Sequence, residues 1–349
     1  MRRIIDFHTH VFPHYADLAV EVMDRCGIES SVVLAWHDGF DAGLKRHLDA
    51  FAKYPGRFIT FGNVDFARIN EPDFALRAAA QMEADAKAGM RGLKVYKALG
   101  LSYQKTGGDF WKPNDSLLDP IWAKAGELNL PVLIHTADPA CFWEPVNEFN
   151  FWNGVLYGEY SWWTYYGKGM PSSAELLGER LEMISRHPGT TFIFPHAAEK
   201  CDSLDAAAED LDRFPNLFYD FSARLPDMAR SARRAAHTRE FFTAYPDRIL
   251  FGTDIIYDDT NVPTGQQAQI LYQPGEIPLH RADPKARYVE TTSAFVQSNI
   301  AFLTSKEIQF SPPFKRSHAP FHIHGLGMPE DLADRILSAN AGRLLRHAV

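Results

Sequence analysis

Two histidines one residue apart, His8-Thr9-His10, close an apolar run near the start of the sequence. Side chains alternate faces along a β-strand, so both imidazoles face the same way and can meet one metal ion. The spacing alone says little, because the chain has 14 His and His322-Ile323-His324 repeats it in the tail. The other candidates add weight by where they stand. His135 follows Val132-Leu133-Ile134, His196 ends Phe192-Ile193-Phe194-Pro195-His196, and Asp254 ends Phe251-Gly252-Thr253-Asp254. Each closes a separate apolar run. Polar residues gathered at one sheet end make a plausible site, and two His, a third His and an Asp form a three-nitrogen, one-oxygen donor set that leaves room for water or substrate.

Lys94 lies inside Gly92-Leu93-Lys94-Val95-Tyr96. An ammonium within a buried strand is costly unless paired. Three readings are open: a carboxylated lysine bridging two metals, a cation for a substrate carboxylate, or a partner of Asp6 or another buried acid. Lys97, of opposite parity, is expected to point away. Arg224, after Asp220-Phe221-Ser222-Ala223, is either a fork for a carboxylate or a rim charge. His37 is a further candidate substrate contact. Between Cys141 and Met170 the aromatics crowd together, among them Phe142, Trp143, Trp152, Trp163, Tyr165 and Tyr166. Such a segment needs cover, as a lid, as a subunit interface or by packing on itself.

The elements that must position these residues alternate regularly. Short apolar or β-branched runs read as strands at 3–10, 30–36, 58–64, 92–96, 131–136, 190–196, 216–222 and 248–254. Helical patterns follow at 15–26, 40–53, 73–87, 120–128, 172–186, 204–213 and 239–245, mostly with Gly or Pro just beyond. Continuous apolar strands suit a parallel sheet covered on both faces. Eight strand–helix units predict an α/β protein, a (β/α)₈ TIM barrel, over one domain spanning 1–349. An open doubly wound sheet is the runner-up, although no G-x-G-x-x-G follows the first strand. Two long segments, 137–171 after strand five and 255–286 after strand eight, then fall on the C-terminal face where barrel active sites are built. A helix at 287–302 and a final amphipathic helix at 329–345 complete the reading.

Composition excludes several classes. The charge sum of 36 Lys+Arg against 44 Asp+Glu gives −8, unsuited to phosphate neutralisation, so no nucleic-acid partner is expected. No apolar run approaches the roughly 20 residues of a membrane span. The first residues are not expected to act as a signal peptide, since Asp6, His8 and His10 break the apolar stretch. Cys26, Cys141 and Cys201 form no C-x-x-C, so a reducing cytoplasm is the expected setting.

Taken together, Ile5-Asp6-Phe7-His8-Thr9-His10 resembles the opening box of the amidohydrolase superfamily, and more closely its amidohydrolase-2 branch of aminocarboxymuconate-semialdehyde decarboxylase-like proteins. The resemblance runs on through Arg91-Gly92-Leu93-Lys94, Pro131–His135, Phe194-Pro195-His196-Ala197, Ile249–Asp254 and Asn340-Ala341-Gly342-Arg343-Leu344-Leu345. It implies a metal-dependent barrel in which His8, His10, His135 and Asp254 hold one divalent ion, commonly zinc, with manganese the alternative. His196 is then the acid or base beside it. A second ion is implied only if Lys94 is carboxylated, with His135 and His196 shifting to it. The box His196-Ala197-Ala198-Glu199 departs from the glycine-rich turn common there. The expected activity is hydrolysis of a small organic acid, lactone or amide by metal-activated water, with His196 or Asp254 moving the proton. Lys94, Arg224 and the loop tryptophans Trp143 and Trp163 are the expected substrate contacts. The alternatives are non-oxidative decarboxylation or hydration of an aromatic-derived acid, a metal-free lactonase, and a non-catalytic binding barrel. The expected partner is a small molecule, and a homodimer is one assembly the aromatic loop would suit.

Overall fold

Eight parallel strand positions close on themselves around an apolar interior. The computed structural model describes residues 3–35, 40–157, 161–257, 284–311 and 321–346. The strands are β1 Ile5–Val11, β2 Ser30–Leu34, β3 Phe58–Asn63, β4 Leu93–Val95, β5 Val132–Ile134, β6 Phe192–Phe194, β7 Leu217–Asp220, β8 Ile249–Leu250 and β9 Ile255–Tyr257. They pair in the order β8-β7-β6-β5-β4-β3-β2-β1-β9, every pair parallel. The expected eighth strand is thus broken in two. Ile249–Leu250 pairs with β7 and Ile255–Tyr257 with β1, and residues 251–254 between them seal the ring. Two backbone bonds make the seal: Phe7 N donates to Phe251 O at 2.8 Å and Asp254 N to His8 O at 2.8 Å. The result is the predicted (β/α)₈ barrel.

Alternation along each strand separates two apolar layers. Ile5, Phe7, Val32, Leu34, Phe61, Leu133, Ile193 and Leu250 form one cluster inside the ring. Their neighbours Val33, Leu93, Val95, Val132, Ile134, Phe192, Phe194 and Tyr219 pack outward against the helices. The inner floor is plugged by Ala341, Leu344 and Leu345 of the last helix. Fully buried Asn340 fastens this plug, its amide donating to Pro246 O and Ile249 O at 2.7 Å each.

One irregularity matters for the site. Asp6 lies opposite Ser31, but Thr9 lies opposite Val33, so β1 spends three residues where β2 spends two. This bulge reverses the facing of the residues after it. Ile5 and Phe7 fill the barrel, yet His8 and His10 also reach its inner mouth.

Most helices fall where the sequence placed them, as at Ala16–Cys26, Phe74–Ala88 and Leu204–Arg213. The helix expected at 239–245 begins earlier, at Ala232, where the Ser231 hydroxyl accepts from Arg234 N at 3.3 Å. The terminal pattern at 329–345 is helical but not uniform: Glu330–Asp334 and Asn340–Arg346 are joined by a wider turn at Arg335–Ala339. The segment after β5 carries its own small core of Phe142, Trp152, Val155 and Leu156. Most of the long segment after β9, and His37 after β2, lie outside the described residues.

Candidate metal centre

The barrel mouth gathers four imidazoles in a chain. The His8 and His10 rings lie 5.4 Å apart, His8 and His196 5.0 Å, and His196 and His135 4.7 Å. Hydrogen bonds assign their free nitrogens. His10 Nδ1 meets Leu34 O at 2.8 Å, and a carbonyl accepts only, so Nδ1 carries the proton and Nε2 the lone pair. His8 Nδ1 donates to Asp220 Oδ2 at 2.8 Å. The two Nε2 atoms converge on a single carboxylate oxygen, Asp254 Oδ1, at 3.2 and 3.3 Å. Two lone pairs and an anion do not approach so closely without positive charge among them, either protons or a cation. All three atoms suit a divalent first-row ion, so the chemistry of the donor set fits a metal.

Electrostatics follow the same geometry. Burial disfavours charge on His8, but the carboxylates of Asp220 and Asp254 outweigh it and push its pKa up to about 9. Burial wins at His10, pushing it down to about 4 despite Asp254. Asp254 also loses hydration, yet His8 and His10 hold its carboxyl well below the usual range. It remains the most accessible of the three, with a quarter of its side chain exposed.

Backbone geometry presses these groups together. Asp6, between inward-facing Ile5 and Phe7 and ahead of the bulge, faces away from the mouth, and there its carboxylate accepts from Thr253 Oγ1 at 2.6 Å, Thr253 N at 3.0 Å and His8 N at 3.2 Å. Asp6 therefore stitches β1 to the residues beside Asp254, and it is not the partner of Lys94. Gly252 permits the approach, since a Cβ there would come within 2.8 Å of His8 Cβ.

His135 stands apart from the expected ligand set. Its Nε2 lies 2.7 Å from Ala137 O and 3.2 Å from Glu199 Oε1, and its closest metal-compatible grouping is with His196 and Glu199. His196 Nδ1 lies 3.0 Å from Ser222 O, which leaves Nε2 as its lone-pair nitrogen. Burial keeps His196 neutral, well below its ordinary pKa. His196, Ala197, Ala198 and Glu199 all have φ between 52° and 59°. Four non-glycine residues in the left-handed region are strained by roughly 1–2 kcal/mol each, which is why a glycine-rich turn would be the easier choice here. Arg180, fully buried, donates to Ala198 O at 2.9 Å from behind this turn.

Several substrate-contact candidates are placed differently from expectation. The Arg224 guanidinium is buried and donates to Glu199 Oε2 at 3.1 Å, so it is neither a rim charge nor an open fork. Lys97 does not point away: its strand has ended, and its ammonium is buried against Asp138, which also accepts from Tyr165 Oη at 2.7 Å. Trp163 lies over that ammonium, 5.2 Å from ring centre to Nζ. Trp143 donates its indole N–H to Pro171 O at 2.8 Å and packs 4.4 Å from Tyr165. These contacts seat the aromatic segment on the barrel's own mouth. Phe149 and Tyr157 remain exposed on it.

Lys94 points into the barrel, as its parity requires, and is buried without a hydrogen bond or ion pair among the described residues. Burial lowers its pKa to about 8, although Asp254, Asp220 and Glu199 favour the charged form. It lines a cavity of about 210 Å³ beside His10.

Sequence reasoning missed Asp220, Ser222 and Glu199. The first two were legible, since Phe218, Asp220 and Ser222 share one strand parity and follow the inward face. Glu199 carries no such signal, because its direction is set by the left-handed turn.

A family model described as Amidohydrolase, of the amidohydrolase-2 type, matches residues 35–347. No curated protein matches the sequence. Among solved structures, the fold resembles a dihydroxybenzoic acid decarboxylase from Polaromonas with bound manganese, at 15% identity and TM-score 0.56, covering 99% of this chain and 97% of that one. It resembles a 2,6-dihydroxybenzoate decarboxylase from Rhizobium at 15% identity and TM-score 0.55, covering 99% of each chain. A dihydroorotase from Campylobacter jejuni aligns at 13% identity and TM-score 0.50, covering 99% of this chain and 84% of that one. At such identities the likeness is one of fold.

Proposed function

The chain belongs to the amidohydrolase family, in its amidohydrolase-2 branch, and we propose that it is a metal-dependent hydrolase of a small organic acid, lactone or amide. The observation that carries this reading is the convergence of His8 Nε2, His10 Nε2 and Asp254 Oδ1, with the lone-pair nitrogen of neutral His196 nearby. His8, His10 and Asp254 would hold one divalent ion, zinc or manganese, with His135 the further candidate ligand. When bound, such an ion supplies Lewis acidity.

The protein's own groups supply the rest. Lys94 is the buried cation that holds a substrate carboxylate within the cavity. His196 takes a proton on Nε2 and returns it to the leaving group, while its Nδ1–H stays on Ser222 O. Asp254 engages the histidines through Oδ1, leaving Oδ2 to share in proton transfer. Glu199, neutralised by Arg224, holds His135 beside His196. The aromatic segment, tied through Tyr165 to Asp138, covers the mouth and restricts water.

That cover favours a second reading, non-oxidative decarboxylation of an aromatic-derived acid, which needs a proton donor but no water. One experiment separates the two. Metal-loaded protein is offered lactones, amides and aryl acids in ¹⁸O-water. Label in the product supports hydrolysis, whereas CO₂ release without label supports decarboxylation. Near-wild-type turnover by His8→Ala would overturn the metal reading altogether.

A further inference from the structure

The cavity beside His10 is lined by one buried cation and one carboxylate. Lys94 stands on the inner face of β4, nine-tenths buried and unpaired among the described residues. Asp65 lies just beyond the end of β3 and lines the same cavity. Its carboxylate caps no turn and has no ion-pair or hydrogen-bond partner among the described residues. Arg68 attracts Asp65 at longer range, but its direct contact, like that of Arg77, is with Glu71 at 2.8 Å. Phe66, Tyr96 and Tyr103 add aromatic surface to the same lining. The cavity volume of about 210 Å³ exceeds the roughly 150 Å³ of a cavity that takes one benzene, room for a single small ring.

We propose that Asp65 determines specificity in this site, selecting single-ring acids that carry a cationic amine on the side away from the carboxylate. The inference rests on the reading of Lys94 as the carboxylate anchor. Two opposite charges in one cavity, neither with a direct hydrogen bond or ion pair among the described residues, favour a ligand of matching opposite charges, because direct contact adds to the weaker long-range attraction each already feels. A ring that carries both groups, a carboxylate for Lys94 and an amine at the meta or para position for Asp65, would meet both charges of this one cavity. An ammonium there gains a charge-assisted hydrogen bond, while an apolar group of the same size strands the acid.

Isosteric probes test this directly. Dissociation constants of metal-loaded protein are measured by calorimetry for 3- and 4-(aminomethyl)benzoate and for 3- and 4-ethylbenzoate. The wild type should prefer an aminomethyl compound over its ethyl counterpart by about tenfold, the low end for a hydrogen bond to a charged group. Asp65→Asn should abolish that preference while binding ethylbenzoate at least as tightly as the wild type, since no charge is then stranded, and this binding also reports that the variant is folded. No preference in the wild type, a preference that survives Asp65→Asn, or no binding of any probe at millimolar concentration would overturn the inference. Lys94→Met is the separate control. If it binds ethylbenzoate as tightly as the wild type, the anchor assigned under the proposed function fails, whatever the outcome at Asp65.

Discussion

Asp220→Asn should change the pH dependence of metal binding in a way that follows from one proton. Asp220 Oδ1 accepts from Ser222 Oγ at 2.6 Å, Ser222 N at 3.0 Å and His196 N at 3.1 Å. An asparagine must keep its carbonyl oxygen on that side. Its NH₂ then occupies the position of Oδ2, 2.8 Å from His8 Nδ1, and needs an acceptor there. His8 can satisfy it only by moving its proton to Nε2, the nitrogen offered to the metal. Loss of such an outer partner costs about 10–100-fold in metal affinity, or about 1.4–2.7 kcal/mol.

A second effect opposes the first. In the metal-free wild type His8 is held protonated up to about pH 9, so a metal must displace that proton. At pH 7 this competition weakens binding about a hundredfold, because two pH units below the pKa leave about one molecule in a hundred deprotonated. Without Asp220, His8 loses the larger of the two carboxylate attractions that oppose its burial, its pKa falls, and the competition eases. The variant should therefore bind zinc about 10–100-fold more weakly at pH 9 and approach wild-type affinity near pH 7. Titration against a chromophoric chelator across pH 6.5–9.5 reads both limbs. Parallel pH curves for the two proteins, or equal affinity at pH 9 in a folded variant, would refute the reasoning.

Two further outcomes are expected. Asp227 is buried, which raises its pKa to about 6 although Arg224 pulls the other way, and its Oδ1 accepts from Trp152 Nε1 at 3.1 Å. The folded protein binds this proton more tightly than the unfolded chain, so stability falls as pH rises from about 4 to 6 and is flat above; Asp227→Asn should gain up to about 3 kcal/mol at pH 7 and almost nothing at pH 4, read by urea unfolding at both values. Gly252→Ala should drive β1 and the strand-eight closure apart, because the added Cβ meets His8 Cβ at 2.8 Å. A loss of about 1–3 kcal/mol in stability, with weakened metal retention in elemental analysis, is the expected result, and unchanged retention would contradict the role given to that contact.

Local signals carried most of the fold. The apolar runs, the turn residues after each helix and the alternation of the two placed eight strand positions and most helices, because secondary structure depends on spacing within ten to fifteen residues. The same signals put His8, His10, His135, His196 and Asp254 at strand ends, and one parity rule would also have found Asp220 and Ser222. What they do not reach is direction after a local irregularity. The extra residue in β1 turns His8 and His10 inward, while Asp6, before it, keeps the outward face and bonds Thr253, leaving Lys94 without the partner its burial suggested. The left-handed turn at 196–199 swings Glu199 beside His135 and draws Arg224 inward as its counter-ion.

The sequence by itself determined a parallel α/β barrel with metal-compatible residues at one end of its strands. Tertiary structure alone decided which of those residues share an atom-to-atom centre. Ring closure brings Asp254 onto His8 and His10, residues nearly 250 positions away along the chain. That meeting depends on a bulge, a missing Cβ and the carboxylates behind each imidazole, none of which is encoded in any single stretch of spacing.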